Sequence, residues 1–153
     1  MKNLFRVLAG AMLIGLCLSA NAQQLPGAHP HYLHALSDLR AARWFLYHQP
    51  GDAKVYSGED VGISEIDAAI GELKRAAIDD GKDINDHPHV DVKEHGSRLL
   101  KAIETLKKAR ADSSLEEDNP QTQGLRHRVV EHIDRAIHAA EQAHAEWLKD
   151  VKK

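Results

Sequence analysis

The fold of this chain is decided by the stretch Leu99-Leu100-Lys101-Ala102-Ile103-Glu104-Thr105-Leu106-Lys107-Lys108-Ala109, whose core reads Ala-Ile-x-x-Leu-x-x-Ala. Versions of this phrase begin at Ala35, Ala69, Ala102 and Ala136, at intervals of 34, 33 and 34 residues. In this motif, apolar residues follow the first alanine by one, four and seven positions. This spacing places their side chains on one face of an α-helix, with a small residue beside each large one. The sequence therefore predicts an all-α fold, an antiparallel up-down-up-down four-helix bundle.

Turn-forming residues separate the four helical segments. We predict helices over residues 31–48, 64–79, 91–111 and 122–151. Ser64 is the predicted N-cap of the second helix, and Glu94 completes a predicted capping box at the start of the third. The acidic segment 112–120 is predicted to be a solvated linker. The predicted core comprises Leu36, Leu39, Ile66, Ile70, Leu73, Leu99, Ile103, Leu106, Ile133, Ile137 and Ala140.

Residues 1–22 have the pattern of a secretory signal peptide. Two basic residues precede an apolar run over 7–17, and residues 20–22 supply the small-x-small cleavage pattern. The run is shorter than the roughly 20 residues that span a bilayer, so we predict cleavage rather than a permanent membrane anchor. Residues 23–30 are then an extended lead-in, residues 31–153 form the bundle, and the protein is predicted to be periplasmic.

Cleavage would remove the only cysteine and both methionines, Cys17, Met1 and Met12. The mature chain could then form no disulfide, and it would offer no sulfur ligand for a copper(I) site or a methionine-ligated haem. It would retain 18 basic and 23 acidic side chains, a formal charge of −5. This charge, without any basic cluster, disfavours nucleic acid as a partner.

Eleven histidines follow residue 22, and neutral imidazole is the commonest metal-binding side chain. Two His-Pro-His segments, 29–31 and 87–89, precede the first and third helices, whose starts share one end in an up-down-up-down bundle. Proline between two histidines lowers the cost of bringing both rings to one ion. The predicted site for a divalent copper, nickel or zinc ion comprises His29, His31, His34, His87, His89, Asp91, His95 and His144. The alternative is that these are polar loop and first-turn residues without a ligand.

A second set of polar side chains lies along the fourth helix. Five of them share one face, at spacings of four, three, four and three residues: His127, Glu131, Asp134, His138 and Glu141. We interpret this set as a solvated charged face held by i,i+3 and i,i+4 pairs, in preference to a row of metal ligands. His144, by contrast, is predicted on the core stripe, one turn before Trp147.

The chain carries no catalytic motif, and we predict that the protein is not an enzyme. Di-metal carboxylate bundles need Glu-x-x-His on two helices, whereas residues 141–144 form the only such motif in this sequence. The sequence has no His-Glu-x-x-His, no phosphate-binding glycine loop and no Gly-x-Ser-x-Gly. A small haem or di-metal redox protein is a weaker alternative for the same reasons.

A signal peptide, four Ala-Ile-x-x-Leu-type helices and histidines spread along a cysteine-free chain give this sequence a resemblance to the small histidine-rich metal-binding proteins of the bacterial periplasm. The resemblance implies a bundle that sequesters or buffers copper, nickel or zinc. The competing hypothesis is a non-catalytic periplasmic interaction module. It would present Trp44, Phe45 and Tyr47 to a protein partner, because the first helix ends with apolar residues nearly all round.

Overall fold

A computed structural model describes residues 29–89, 92–116 and 123–153 of the protein. These ranges contain four α-helices and no β-strand: α1 (Pro30–Leu46), α2 (Ser57–Arg75), α3 (His95–Leu115) and α4 (Leu125–Val151). The predicted all-α four-helix bundle is confirmed. The predicted signal peptide, most of the lead-in and Asp91 lie outside the described residues. Within the described part of the chain, no helix is both long and apolar enough to cross a bilayer.

The hydrophobic core lies where the repeated phrase predicts it. Every predicted core residue except Ile137 is buried, and Ile137 is half-buried at the edge of the core. The buried face of α4 is turned slightly from the predicted stripe, so that Ala136 takes the core position predicted for Ile137, and Val129 is buried as well. Small residues on this face allow α4 to approach α2 closely.

Gly58 and Gly62 mark where the backbone of α2 comes closest to its neighbours. A Cβ atom at Gly58 would lie 2.3 Å from the carbonyl oxygen of Ala139, and one at Gly62 would lie 2.8 Å from Cδ1 of Leu46. Backbone oxygen atoms cannot move away without distorting the helix, so position 58 needs a residue without a side chain. Glycine and alanine therefore set the spacing between α2 and α4.

The helix directions differ from the predicted up-down-up-down order. Both α1 and α4 pack against α2 and α3. In each of these pairs the start of one helix contacts the end of the other, so the pairs are antiparallel. His29, before α1, contacts Glu116, after α3, so the start of α1 lies beside the end of α3. Glu59, in the first turn of α2, contacts His95 at the start of α3, so these two helices start at the same end. The order is up-down-down-up, and the prediction that the first and third helices start at one end is wrong.

The connection between α2 and α3 explains this order. We call residues 76–94 the crossover loop; residues 90–91 within it lie outside the described part. Nineteen residues can reach roughly 60 Å when extended, whereas the 19-residue α2 is only about 28 Å long. The loop therefore has ample length to return along the bundle before α3 begins.

Polar contacts hold the crossover loop against α1. Arg40, whose residue is 2% exposed, donates two hydrogen bonds to the carboxylate of Asp80, at 3.0 and 2.5 Å. Arg43 donates to the side-chain oxygen of Asn85 at 3.3 Å. These contacts place the second His-Pro-His segment beside the last turns of α1.

Two predicted helix starts need correction. Helix α2 begins at Ser57, seven residues before the predicted N-cap Ser64, because the backbone N–H of Tyr56 donates to Glu59 Oε1 at 2.8 Å and stabilises an earlier start. Helix α3 begins at His95, and Glu94 is its N-cap instead of the third residue of a capping box. The Glu94 carboxylate accepts hydrogen bonds from the backbone N–H groups of Gly96 and Ser97.

The end of α3 also differs from its prediction. The helix continues to Leu115, and within it the Ser113 side chain is fully buried. The first four residues of the predicted solvated linker 112–120 are therefore helical. Glu116, which follows, is buried against the start of α1.

Candidate metal-binding site

The structure divides the predicted metal ligands between the two ends of the bundle. The start of α1 carries His29, His31 and His34, whereas His87, His89, His95 and His144 lie toward the opposite end. The prediction that all seven histidines gather at one end is therefore wrong, and the crossover loop is the physical reason. Within residues 29–89, 92–116 and 123–153, no three His, Asp or Glu side chains are arranged to hold one metal ion.

At the start of α1, the imidazole of His29 contacts the carboxylate that caps the helix. Glu116 accepts hydrogen bonds from the backbone N–H groups of His31 and Tyr32 at 3.0 and 3.3 Å. Its other carboxylate oxygen lies 3.1 Å from Nδ1 of His29. A carboxylate at this position satisfies free N–H groups and interacts favourably with the helix dipole. These contacts account for His29 and Glu116 without a metal ion.

His95 lies between two carboxylates at the other end. Its Nε2 is 3.0 Å from Glu59 Oε1, and its Nδ1 is 3.7 Å from Asp52 Oδ1. Because the two nitrogens point in different directions, a single ion could not bind His95 together with both carboxylates. Burial would raise the pKa of Asp52, but hydrogen bonds from Arg98 and from the backbone of Gln49 hold that pKa below its ordinary value. This network stabilises the turn between α1 and α2.

The prediction that His144 lies on the core stripe is wrong: its side chain is half-buried, and Ala143 takes the core position. Its ring stacks on Trp147 with centroids 5.7 Å apart and planes inclined by 20°. Trp147 in turn covers Gly96, where a Cβ atom would lie 2.5 Å from the indole ring. His144 thus covers the edge of a packed aromatic residue.

His87 has the geometry of a prepared metal ligand. Its ring lies flat on the indole of Trp44, with centroids 3.7 Å apart and planes inclined by 5°. Its Nδ1 is 3.0 Å from the carbonyl oxygen of Pro88. A carbonyl oxygen only accepts hydrogen bonds, so in the neutral ring Nδ1 carries the proton and Nε2 keeps its lone pair. A hydrogen bond from Nδ1–H to a backbone carbonyl is a common way of orienting a metal-binding histidine.

A second imidazole lies close to His87. The ring centroids of His87 and His89 are 6.4 Å apart. Two imidazoles bound to one ion place their centroids roughly 5–6 Å apart, because each metal–nitrogen bond is about 2.0–2.1 Å long. His89 is exposed, so its ring has room to rotate toward His87.

The two histidines border a cavity of about 430 Å³ between the crossover loop and α1. From α1 the cavity is lined by Ser37, Asp38 and Ala41, and from the loop by Lys82, Asp86 and residues 87–89. The imidazoles of His87 and His89 therefore share one solvent-accessible space with the carboxylate of Asp38, whereas the carboxylate of Asp86 there is paired with Lys82. This combination of donors suits a divalent transition metal.

The charged face of α4, which runs from His127 to Glu141, is exposed to solvent, in agreement with its interpretation as a solvated face. Glu131 pairs with Arg135 at 2.6 Å, and Glu141 pairs with Lys107 at 3.1 Å. His127 is 85% exposed at its side chain. This face borders a groove of about 710 Å³ between α2 and α4, into which Val61 contributes apolar surface. Neither the groove nor the face brings imidazoles together as closely as the crossover loop does.

Two of the three aromatic residues that the competing interaction hypothesis places at the end of α1 are at least partly covered. Phe45 is buried with 2% exposure, and His87 stacks on the indole of Trp44. Only Tyr47, at 52% exposure, remains available on the surface. The apolar end of α1 is instead accounted for by its contacts with the core and the crossover loop.

Sequence reasoning identified His87 and His89 but missed the residues that position them. Trp44 is 43 positions away in the chain, and its apolar surroundings in helix 1 were the only sequence signal that another segment covers it. Nothing in the sequence indicated that Glu116 or Asp38 lies near a histidine of the predicted site. Comparison of the chain with protein-family models, with curated proteins and with solved structures finds no match.

Proposed function

We propose that this protein is an exported, non-catalytic domain that binds and buffers a divalent transition metal ion, copper, nickel or zinc, through His87 and His89. The observation that carries the proposal is the state of His87, which is stacked on Trp44 and oriented by Pro88 so that Nε2 is free to coordinate. The proposed site is smaller than the predicted cluster.

Preorganisation is the physical argument for a real site over scattered surface histidines. A free histidine must lose rotamer freedom to bind an ion, at a cost of about 0.5–1.5 kcal/mol per immobilised side chain. His87 has already met this cost through its contacts with Trp44, and Pro88 restricts the backbone between the two ligands. Binding at the crossover loop should therefore be tighter than at the exposed histidines of α4.

The ligand set favours exchange over permanent retention. Two imidazoles leave positions for water on a copper, nickel or zinc ion, and such an ion exchanges more readily than one in a closed four-ligand structural site. Buffering requires this behaviour. The signal-peptide pattern of residues 1–22 and the resemblance to histidine-rich periplasmic proteins support a role in the periplasm.

Calorimetric titration of the purified protein with Cu(II), Ni(II) and Zn(II) tests the proposal. We expect one site of micromolar affinity for at least one ion, and a His87→Ala, His89→Ala double variant should bind about tenfold more weakly or worse, a loss of about 1.4 kcal/mol. The matched control is His127→Ala, His138→Ala, which removes two imidazoles from the exposed face of α4.

The control should retain the affinity of the unchanged protein. Equal losses in both double variants would show that the histidines act as independent weak sites and would refute a site at the crossover loop. If the unchanged protein gave no binding heat with any of the three ions, the metal-binding function would be refuted altogether.

A further inference from the structure

Asp38 is the acidic residue of α1 that faces the cavity beside His87 and His89. Its side chain is half-buried. Among the described residues, its carboxylate makes no hydrogen bond and no ion pair within 4 Å, unlike most acidic side chains of the bundle that are as buried. A half-buried carboxylate without such a partner has lost part of its hydration and gained no direct hydrogen bond in exchange.

The charges around Asp38 give its ionised carboxylate little further stabilisation. Burial and the negative charge of Asp112 both raise its pKa, and the positive charges of Lys108 and His34 only partly oppose them. Asp86, which lines the same cavity, provides a contrast. It is exposed and already pairs with Lys82 at 3.4 Å. Of the two carboxylates at the cavity, Asp38 is the one that a bound cation would neutralise.

We propose that Asp38 is the third protein ligand of the ion held by His87 and His89, so that the metal ion links the crossover loop to α1. The inference rests on the proposed metal-binding function and specifies its coordination. Two imidazole nitrogens and one carboxylate oxygen, with an open position for water, form a set that zinc and other divalent transition metals accept.

Because no three His, Asp or Glu side chains of the described ranges are placed to hold one ion, binding requires the ligands to move. His87 is held by Trp44, so the exposed His89 and the side chain of Asp38 must rotate toward it. Once bound, the ion adds a link between α1 and a loop that contacts it through Arg40, Arg43 and Trp44. Zinc should therefore slow hydrogen exchange of the backbone N–H groups in the loop around residues 82–89, an effect that a surface-bound ion would not produce.

The test compares Asp38→Asn with Asp86→Asn, two isosteric changes that each remove one negative charge from the same cavity. We expect Asp38→Asn to weaken Zn(II) binding about tenfold or more and to abolish the zinc-dependent protection of residues 82–89. Asp86→Asn should change the affinity less than about threefold and keep the protection. Asp38→Asn should fold normally, because it removes a poorly compensated charge, and circular dichroism checks this.

An unchanged affinity in Asp38→Asn overturns the inference, and so does an equal loss in both variants, which would indicate a general effect of charge. The His87→Ala, His89→Ala variant separates the two proposals. If that variant loses binding while Asp38→Asn does not, the metal-binding function stands and only the third ligand is wrong. If neither change affects binding, both proposals fail.

Discussion

His87 and His144 offer a comparison at the scale of single residues, because each imidazole stacks on one of the two tryptophans of the protein. The stack of His87 on Trp44 is closer and more nearly parallel, at 3.7 Å and 5° against 5.7 Å and 20°. His87 also has a backbone carbonyl partner for Nδ1, whereas no such hydrogen bond is found for His144 in the described part of the chain. Only His87 combines a fixed ring with a fixed tautomer.

Tryptophan fluorescence can report this difference directly. In a Trp147→Phe variant the remaining indole is Trp44, and Cu(II) bound to His87 would quench its emission strongly because the ion lies within a few ångströms of the ring. In Trp44→Phe the remaining indole is Trp147, and stoichiometric Cu(II) should change its emission little. Equal quenching in the two variants would contradict a preference for His87.

At the scale of elements, α1 depends on another helix for its N-terminal cap. His29 precedes the helix in a left-handed conformation, with φ of 69°, and provides no side-chain cap. Glu116, just after α3, supplies the acceptor for two of the free N–H groups. The cap therefore joins two helices that are far apart in sequence, and a local sequence rule cannot find it.

Glu116→Ala should lower the free energy of unfolding by about 1–2 kcal/mol, the usual cost of losing a helix cap. Urea denaturation followed by circular dichroism measures this loss. Glu104→Ala is the control, since Glu104 lies on the exposed face of α3 and pairs only with Lys101 and Lys108. That change should lower the stability far less than Glu116→Ala does, because exposed ion pairs contribute little. Similar losses in both variants would show that the Glu116 contacts do not stabilise α1.

The helix faces were predictable because they depend on local periodicity. Residues such as Leu36, Leu73 and Leu106 recur at helical spacing, and all three are fully buried. Helix ends were less predictable. Tyr56 is not an ordinary N-cap residue, so the early start of α2 depends on Glu59 and on contacts with α3 that the sequence does not display.

At the scale of the whole molecule, the predicted site failed because it depended on helix direction. Short connections favour up-down-up-down order, but the crossover loop is long enough to allow α2 and α3 to run the same way. Both orders bury the same faces, so the core pattern could not distinguish them. The proximity of His87 and His89 was predictable because the two residues are close in sequence. Their proximity to Trp44 and Asp38 was not, because it depends on how the crossover loop returns along α1.

The acid stability of the bundle should depend on the carboxylates that hold these connections. Burial would raise the pKa of Asp80, but hydrogen bonds from Arg40 and from the backbone of Lys82 hold it below 3.8, as Arg98 and Gln49 do for Asp52. The unfolded chain therefore takes up protons first as the pH falls. The stabilisation is complete well above pH 3.8 and is lost as the pH falls through the lower pKa of the folded state.

Asp80→Asn should lower the melting temperature at pH 6 and reduce its further fall between pH 5 and pH 2, because the variant has already lost one of the contacts whose carboxylates take up protons in this range. Thermal melts in the presence of a chelator measure both effects without interference from metal binding. Asp86→Asn, in the same loop but paired only with the exposed Lys82, should keep the acid profile of the unchanged protein. An unchanged acid profile in Asp80→Asn would mean that Arg40 and Asp80 do not hold the crossover loop to α1.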